Sequence, residues 1–154
     1  MVIARIKARG RLVVEGRARL GRGVVFDLAR GTRVVLEDRC SIGEGCRFHV
    51  AGGQVRIGEG AVLGDRCVLA AHESIEVGPG AILGDDVVLI DFDHDVRDVE
   101  RPVRLQGLVT GPVRIGARAV LGNAAAVLHG ATVGEGARVL ARSVVTREAP
   151  ARAS

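Results

Sequence analysis

The sequence predicts an all-β, single-domain solenoid: a parallel β-helix in which short strands and turns stack coil upon coil. Three observations predict it: a six-residue apolar period, a glycine behind most periodic aliphatic residues, and a near absence of aromatic rings. The 154 residues include 22 glycines but only three Phe, with no Trp or Tyr, although 47% of the chain is apolar. Burial therefore falls to many Val, Leu, Ile and Ala side chains, each fully buried Val or Leu contributing roughly 1.5–3 kcal/mol. Stacked layers of small cross-section need no large rings, and an internal period is the signature of such an architecture.

An aliphatic residue followed by Gly, with a small residue four places on, recurs at Leu20, Ile42, Ile57, Leu63, Val77, Leu83, Ile115, Leu121 and Val133. Six residues of α-helix turn through about 600°, which would scatter the repeats around the helix. In a strand, residues six apart share a face. The period is therefore an extended one, and the glycines give the corners their conformational freedom. Three hexads make a coil of 18 residues, the spacing from Ile115 to Val133. Leu36 to Ile57 and Ile57 to Val77 span 21 and 20 residues, which places two or three extra residues at one corner. Stacking then sets Ile57, Val77, Ile115 and Val133 in one ladder and Leu63, Leu83, Leu121 and Val139 in a second. Leu69, Leu89, Val127 and Val145 form a third, with neighbours about 4.8 Å apart. The spacing does not fix the hand of the coil.

Residues 1–154 read as one domain. Residues 1–19 are expected to be an irregular N-terminal cap or first coil over the open end of the core. Residues 91–112 abandon the period for a polar stretch, a protruding loop on a rigid scaffold and so the expected seat of function. Residues 149–154 read as a short tail.

With 22 basic and 18 acidic residues the formal charge is +4, and Lys7 is the single lysine. The arginines are dispersed among Glu and Asp, and no aromatics are present to stack bases, which argues against nucleic acid as a partner. No apolar run approaches the roughly 18 residues of a membrane span. The N-terminal residues lack the apolar region of a secretory signal, so the expected location is the cytoplasm, without membrane insertion. Cys40, Cys46 and Cys67 each lie four residues after a periodic aliphatic residue, in the small-residue slot. They read as buried thiols of a reducing compartment.

The four histidines show no close ligand pair, and the aspartates of 91–98 lack the pattern of a calcium loop, so no metal is expected. His49 reads as an exposed corner residue, His72 as part of a corner insertion that could face a groove, and His129 as a turn residue. His94 is different: it lies within the excursion, flanked by Asp91, Asp93, Asp95 and Asp98. Nearby carboxylates raise the basicity of an imidazole and can fix its tautomer.

The hexads continue into IDFDHDVRD at 90–98, RPVRLQG at 101–107, GPVRIGARAVLGN at 111–123 and GATVGEGARVLARSVVTRE at 130–148. Over about residues 20–148 this succession resembles the hexapeptide-repeat, left-handed β-helix acyltransferases. It is similar to the O-acetyltransferases of surface polysaccharide and lipopolysaccharide, and more distantly resembles the maltose and galactoside acetyltransferases. The resemblance implies a left-handed coil and direct transfer of an acetyl group from acetyl-CoA to a sugar hydroxyl in a ternary complex. The sites would lie between the subunits of a homotrimer. His94 matches the family's catalytic histidine, a general base, a role typically worth 10²–10⁴ in rate. Asp93 and Asp98 are candidates to orient His94 or to contact the acceptor. By motif position, Asn123, Ala141 and Thr146 would lie beside the pantetheine arm of CoA and Arg147 near its phosphates. Phe92 replaces the first histidine of the family's Asp-His-x-His, and Val120 replaces a usual Trp. Two other readings are an N-acetyltransferase for a nucleotide-linked aminosugar and a non-catalytic β-helix scaffold.

Overall fold

The computed structural model describes residues 5–149. The chain winds as a three-sided prism of parallel strands, six coils and part of a seventh. The first face comprises strands Arg5–Ala8, Val25–Leu28, Arg47–Val50, Val68–Ala71, Val88–Ile90, Ala126–Val127 and Val144–Val145. The second runs through Arg11–Val14, Arg33–Leu36, Gln54–Ile57, Ser74–Val77, Val113–Ile115, Thr132–Val133 and Glu148–Ala149. The third holds two-residue strands from Arg19–Leu20 to Arg138–Val139. Each face hydrogen-bonds to its equivalent one coil away, so the backbone polar groups of the inner strands pair between coils, as burial demands.

The three ladders expected from the spacing are present. Ile57 pairs with Val77, Val77 with Ile115, and Ile115 with Val133. Leu63, Leu83, Leu121 and Val139 stack likewise, as do Leu69, Leu89, Val127 and Val145. Two of the three phenylalanines join the last ladder, where the rings of Phe26 and Phe48 stack with centroids 4.8 Å apart. Cys40, Cys46 and Cys67 are buried free thiols in the slot that Ala or Val fills elsewhere.

The extra residues of the longer coils do not form a bulged loop. They extend the strands on either side of the corner between the first and second faces to four residues each. That adds an inward-facing residue on each side, Val50 with Val55 and Ala71 with Ile75, all essentially inaccessible to solvent. The prism is therefore wider at this corner in its early coils and narrows in the 18-residue coils, where the flanking strands shorten to two residues.

Residues 1–19, expected as an irregular cap or first coil, form from Arg5 onward a coil whose three strands pair in register with the next, Arg5 with Val25 through Arg19 with Ser41. What weakens this coil is its filling: Leu12, Ala18 and Leu20 are only partly buried against the core. At the other end Glu148–Ala149 pairs with Thr132–Val133. The rest of the expected tail, 150–154, and residues 1–4 lie outside the described residues. His49, read as a corner residue, lies in mid-strand facing outward on the first face. Its column neighbour Asp27 sits 3.6 Å from its Nδ1.

Candidate active site

The excursion leaves the prism where it narrows, at the corner between the first and second faces. The chain departs at Asp91 and returns at Gly111, whose N–H donates to the Asp91 carbonyl at 2.9 Å. Between them, Phe92–His94 and Leu108–Thr110 form the one antiparallel pair among the described strands, Phe92 opposite Thr110 and His94 opposite Leu108. A 3-10 turn, Val103–Leu105, occupies the tip.

Asp91 sits in the inward-facing register of Leu28, Val50 and Ala71 and is fully buried. Its carboxylate turns to the preceding coil's corner, where Oδ1 accepts the His72 N–H at 2.7 Å. Oδ2 accepts the Glu73 and Ser74 N–H groups at 2.8 and 2.6 Å. One carboxylate thus ties the root of the hairpin to the coil before it. The adjacent Phe92 ring packs edge-on to the His72 imidazole, with centroids 4.3 Å apart.

The tip is fastened by Gln106. Its Oε1 accepts the Asp98 N–H at 3.0 Å, while Nε2 donates to the Asp98 and Arg101 carbonyls at 2.6 and 2.8 Å. Asp95 is tied to Arg97, and the guanidinium hydrogen bond holds its carboxyl down at about 2. The sequence reading named neither Asp91 nor Gln106 as a site residue, although both stand in the motif segments. An Asp at a position that is apolar in the three preceding coils was the available signal.

His94 is exposed on the hairpin. Alternation along the strand puts its side chain on the same side as Phe92, Thr110 and Leu108, and Asp93 on the other. The Asp93 Oδ1 accepts the backbone N–H of His94 at 2.7 Å, so it holds the main chain at this residue. The Asp98 Oδ1 accepts the Glu100 N–H at 3.0 Å and shapes the loop.

Asn123 and Ala141 are exposed vertical neighbours on a different corner, between the third and first faces, where the Arg142 N–H donates to the Asn123 carbonyl at 2.9 Å. The Asn123 Oδ1 ends a staircase of side-chain acceptors, each taking the N–H of the coil above: Asp65 from Glu44, Asp85 from Asp65, Asn123 from Asp85. Thr146 and Arg147 are exposed on the same corner as the hairpin, two coils further on, about 10 Å along the axis. One chain therefore sets Asn123 and Ala141 together, and His94 on the same edge as Thr146 and Arg147. It does not join the two groups. A groove of about 410 Å³ lies elsewhere, toward the far edge of the second face, where Arg56, Glu76, Arg114 and Thr132 form an outward column. Among the described residues, no group of three or more His, Cys, Asp or Glu is arranged to hold a metal ion. No helix among them is long and apolar enough to cross a membrane.

The family model described as the hexapeptide repeat of succinyl-transferase matches residues 54–89 and 112–147, the coils on either side of the hairpin. Among curated proteins, the probable acetyltransferase Rv3034c of Mycobacterium tuberculosis is 33% identical over 98 residues. That alignment takes in 64% of this chain and 33% of the relative, so the match spans a third of that protein's length. Among solved structures, a hexapeptide-repeat acetyltransferase of Vibrio cholerae, complexed with acetyl coenzyme A, superposes with a TM-score of 0.63 at 17% identity. The match covers 84% of this chain and 63% of that one. The polySia-specific acetyltransferase NeuO superposes with a TM-score of 0.66 at 16% identity, covering 97% of this chain and 80% of NeuO. At such identities the superpositions speak for the fold. With the repeat matched before and after the hairpin and the prism shared with these proteins, the chain is built of hexapeptide repeats as a left-handed β-helix and is similar to the hexapeptide-repeat acetyltransferases.

Proposed function

We propose that the protein transfers an acetyl group from acetyl-CoA to a hydroxyl of a saccharide, with His94 as general base. The observation that carries this reading is the placement of His94: an exposed imidazole on the one hairpin that leaves the repeat, braced at its root by Asp91 and at its tip by Gln106. Acetyl-CoA, when bound, supplies the acetyl group as a thioester. His94 takes the proton of the attacking hydroxyl as the new C–O bond forms, and returns it to the departing thiolate as the C–S bond breaks, so protons balance with no covalent enzyme adduct. Asp93 holds the His94 backbone and Asp98 the loop beyond it, with acceptor contacts the further role open to both.

Asn123 and Ala141 would flank the pantetheine arm, Thr146 would lie beside it, and Arg147 would meet phosphate. All four are exposed, as a ligand groove requires. Because one chain leaves His94 on an open surface and apart from Asn123, the proposed unit is a homotrimer in which a neighbour completes each site. The outward columns support such packing. On the first face Val68, Val88, Ala126 and Val144 follow one another, and on the third Val62, Ile82 and Val120, with no charge between them. Apolar rows of this kind mark interaction surfaces. The buried free thiols fit a reducing, cytoplasmic compartment, and the proposed role there is in polysaccharide biosynthesis. A hydroxyl acceptor is preferred on the resemblance of residues 90–98 and 101–107 to the polysaccharide O-acetyltransferases, and NeuO, which shares the fold, acts on a saccharide, polySia.

The test follows CoA thiol release with sugar hydroxyl and aminosugar acceptors side by side. His94→Ala should lower turnover at least a hundredfold with the oligomer intact. Unchanged turnover would remove the general base, preference for the amine would move the reaction to N-acetylation, and absence of acetyl-CoA binding at millimolar ligand would leave a scaffold.

A further inference from the structure

His72 is not part of the excursion, yet it is joined to it twice. Its N–H donates to the buried Asp91 carboxylate at 2.7 Å, and its ring meets Phe92 edge-on at 4.3 Å. Both contacts cross from one coil to the next, and both meet the hairpin at its root. A ring held by its own backbone and by an aromatic neighbour loses little further freedom on binding a ligand.

Strand alternation extends the patch. Phe92 and His94 lie two residues apart on one side of the hairpin, about 7 Å along the strand, and their cross-strand partners Thr110 and Leu108 share that side. Phe92 is thus in contact with the His72 imidazole and shares its face of the hairpin with His94. His72 and Phe92 are half-buried, whereas Thr110, His94 and Leu108 are exposed. The result is an apolar platform, Phe92 and Leu108, bordered by the hydrogen-bonding groups of His72, His94 and Thr110. A saccharide has the matching chemistry, with C–H faces for the apolar part and hydroxyls for the imidazoles.

We propose that His72 and Phe92 form an acceptor subsite, in which the His72 imidazole binds a saccharide hydroxyl other than the one that reacts at His94. His72 thereby determines which sugar is held and how it is turned. The inference rests on the reading of His94 as the base for a sugar acceptor.

The test uses the full-length protein and a panel of mono- and disaccharides, taking the acceptor with the highest turnover. His72→Phe keeps an aromatic ring against Phe92 and removes the polar nitrogens. The expected result is an acceptor KM raised at least tenfold, a KM for acetyl-CoA within twofold of the parent, and an unshifted melting temperature. His72→Gln, which restores a donor and an acceptor, should recover part of the loss; it also serves as the readout if His72→Phe misfolds. An acceptor KM within twofold in His72→Phe overturns the subsite. If His94→Ala abolishes turnover in the same experiment, the subsite alone fails. If neither variant changes any parameter, both readings fail.

Discussion

Removing the Asp91 carboxylate tests how the hairpin is held. Three main-chain N–H groups, at 2.7, 2.8 and 2.6 Å, end on this buried side chain. A hydrogen bond to a charged group contributes roughly 1.5–3 kcal/mol, and a buried donor left without a partner carries a desolvation cost of similar size. The corner at His72 and Glu73 is partly open, so water can meet some of the released donors, and the lower end applies. Asp91→Ala should then cost about 4 kcal/mol. For a chain of this size, 1 kcal/mol moves the melting temperature by about 2–4 °C, so the expected drop is about 8–16 °C. Asp91→Asn keeps one carbonyl oxygen but turns an NH₂ toward an N–H, and should fall between the parent and the alanine variant. Calorimetry at one fixed protein concentration measures this, since association shifts the melting temperature. Turnover should fall further than stability alone implies, because His94 lies three residues on and a 1 Å displacement of a reacting group can cost 10²-fold. An Asp91→Ala protein melting within 2 °C of the parent would refute the argument.

Two other expectations concern corners and thiols. A Cβ on Gly43 would lie 2.3 Å from the Gly64 carbonyl oxygen, whereas one on Gly60 meets nothing within 4 Å but sits at φ +68°. Gly60→Ala should cost only the left-handed penalty of about 1–2 kcal/mol, and Gly43→Ala distinctly more in urea titration; equal costs would contradict the coil spacing. Burial pushes the Cys40 thiol up to about 11, while the hydrogen bond between Cys46 and Cys67 raises Cys67, with burial adding to it, and lowers Cys46; all three side chains are shut off from solvent. At pH 8 a thiol reagent should label none of the three cysteines in the folded protein and all of them in denaturant. Because the folded value is raised, this contribution to stability is complete below the unfolded value near 9 and is lost as pH rises toward 11. Melting temperature should decline across that window, and less so in Cys40→Ala.

The amino-acid pattern alone dictates the solenoid, its three ladders, the slot of the cysteines and the point where the chain leaves the repeat. It could do so because a six-residue period combined with strand alternation assigns every side chain an inside or an outside. The hairpin that carries His94 was legible for the same reason, as the segment that breaks the period. Only the tertiary structure decided that the extra corner residues lengthen strands, that His49 faces outward in mid-strand, and that Asp91 turns inward to grip the coil before it. It also decided that His72 meets Phe92, that Gln106 closes the tip, and that Asn123 spends its oxygen on Asp85. Each of these is a contact whose partners lie in different coils or across a hairpin, 5 to 38 residues apart in the chain. A local period records which way a side chain points. What it touches there depends on the stacking of coils, and that exists only once the chain has folded.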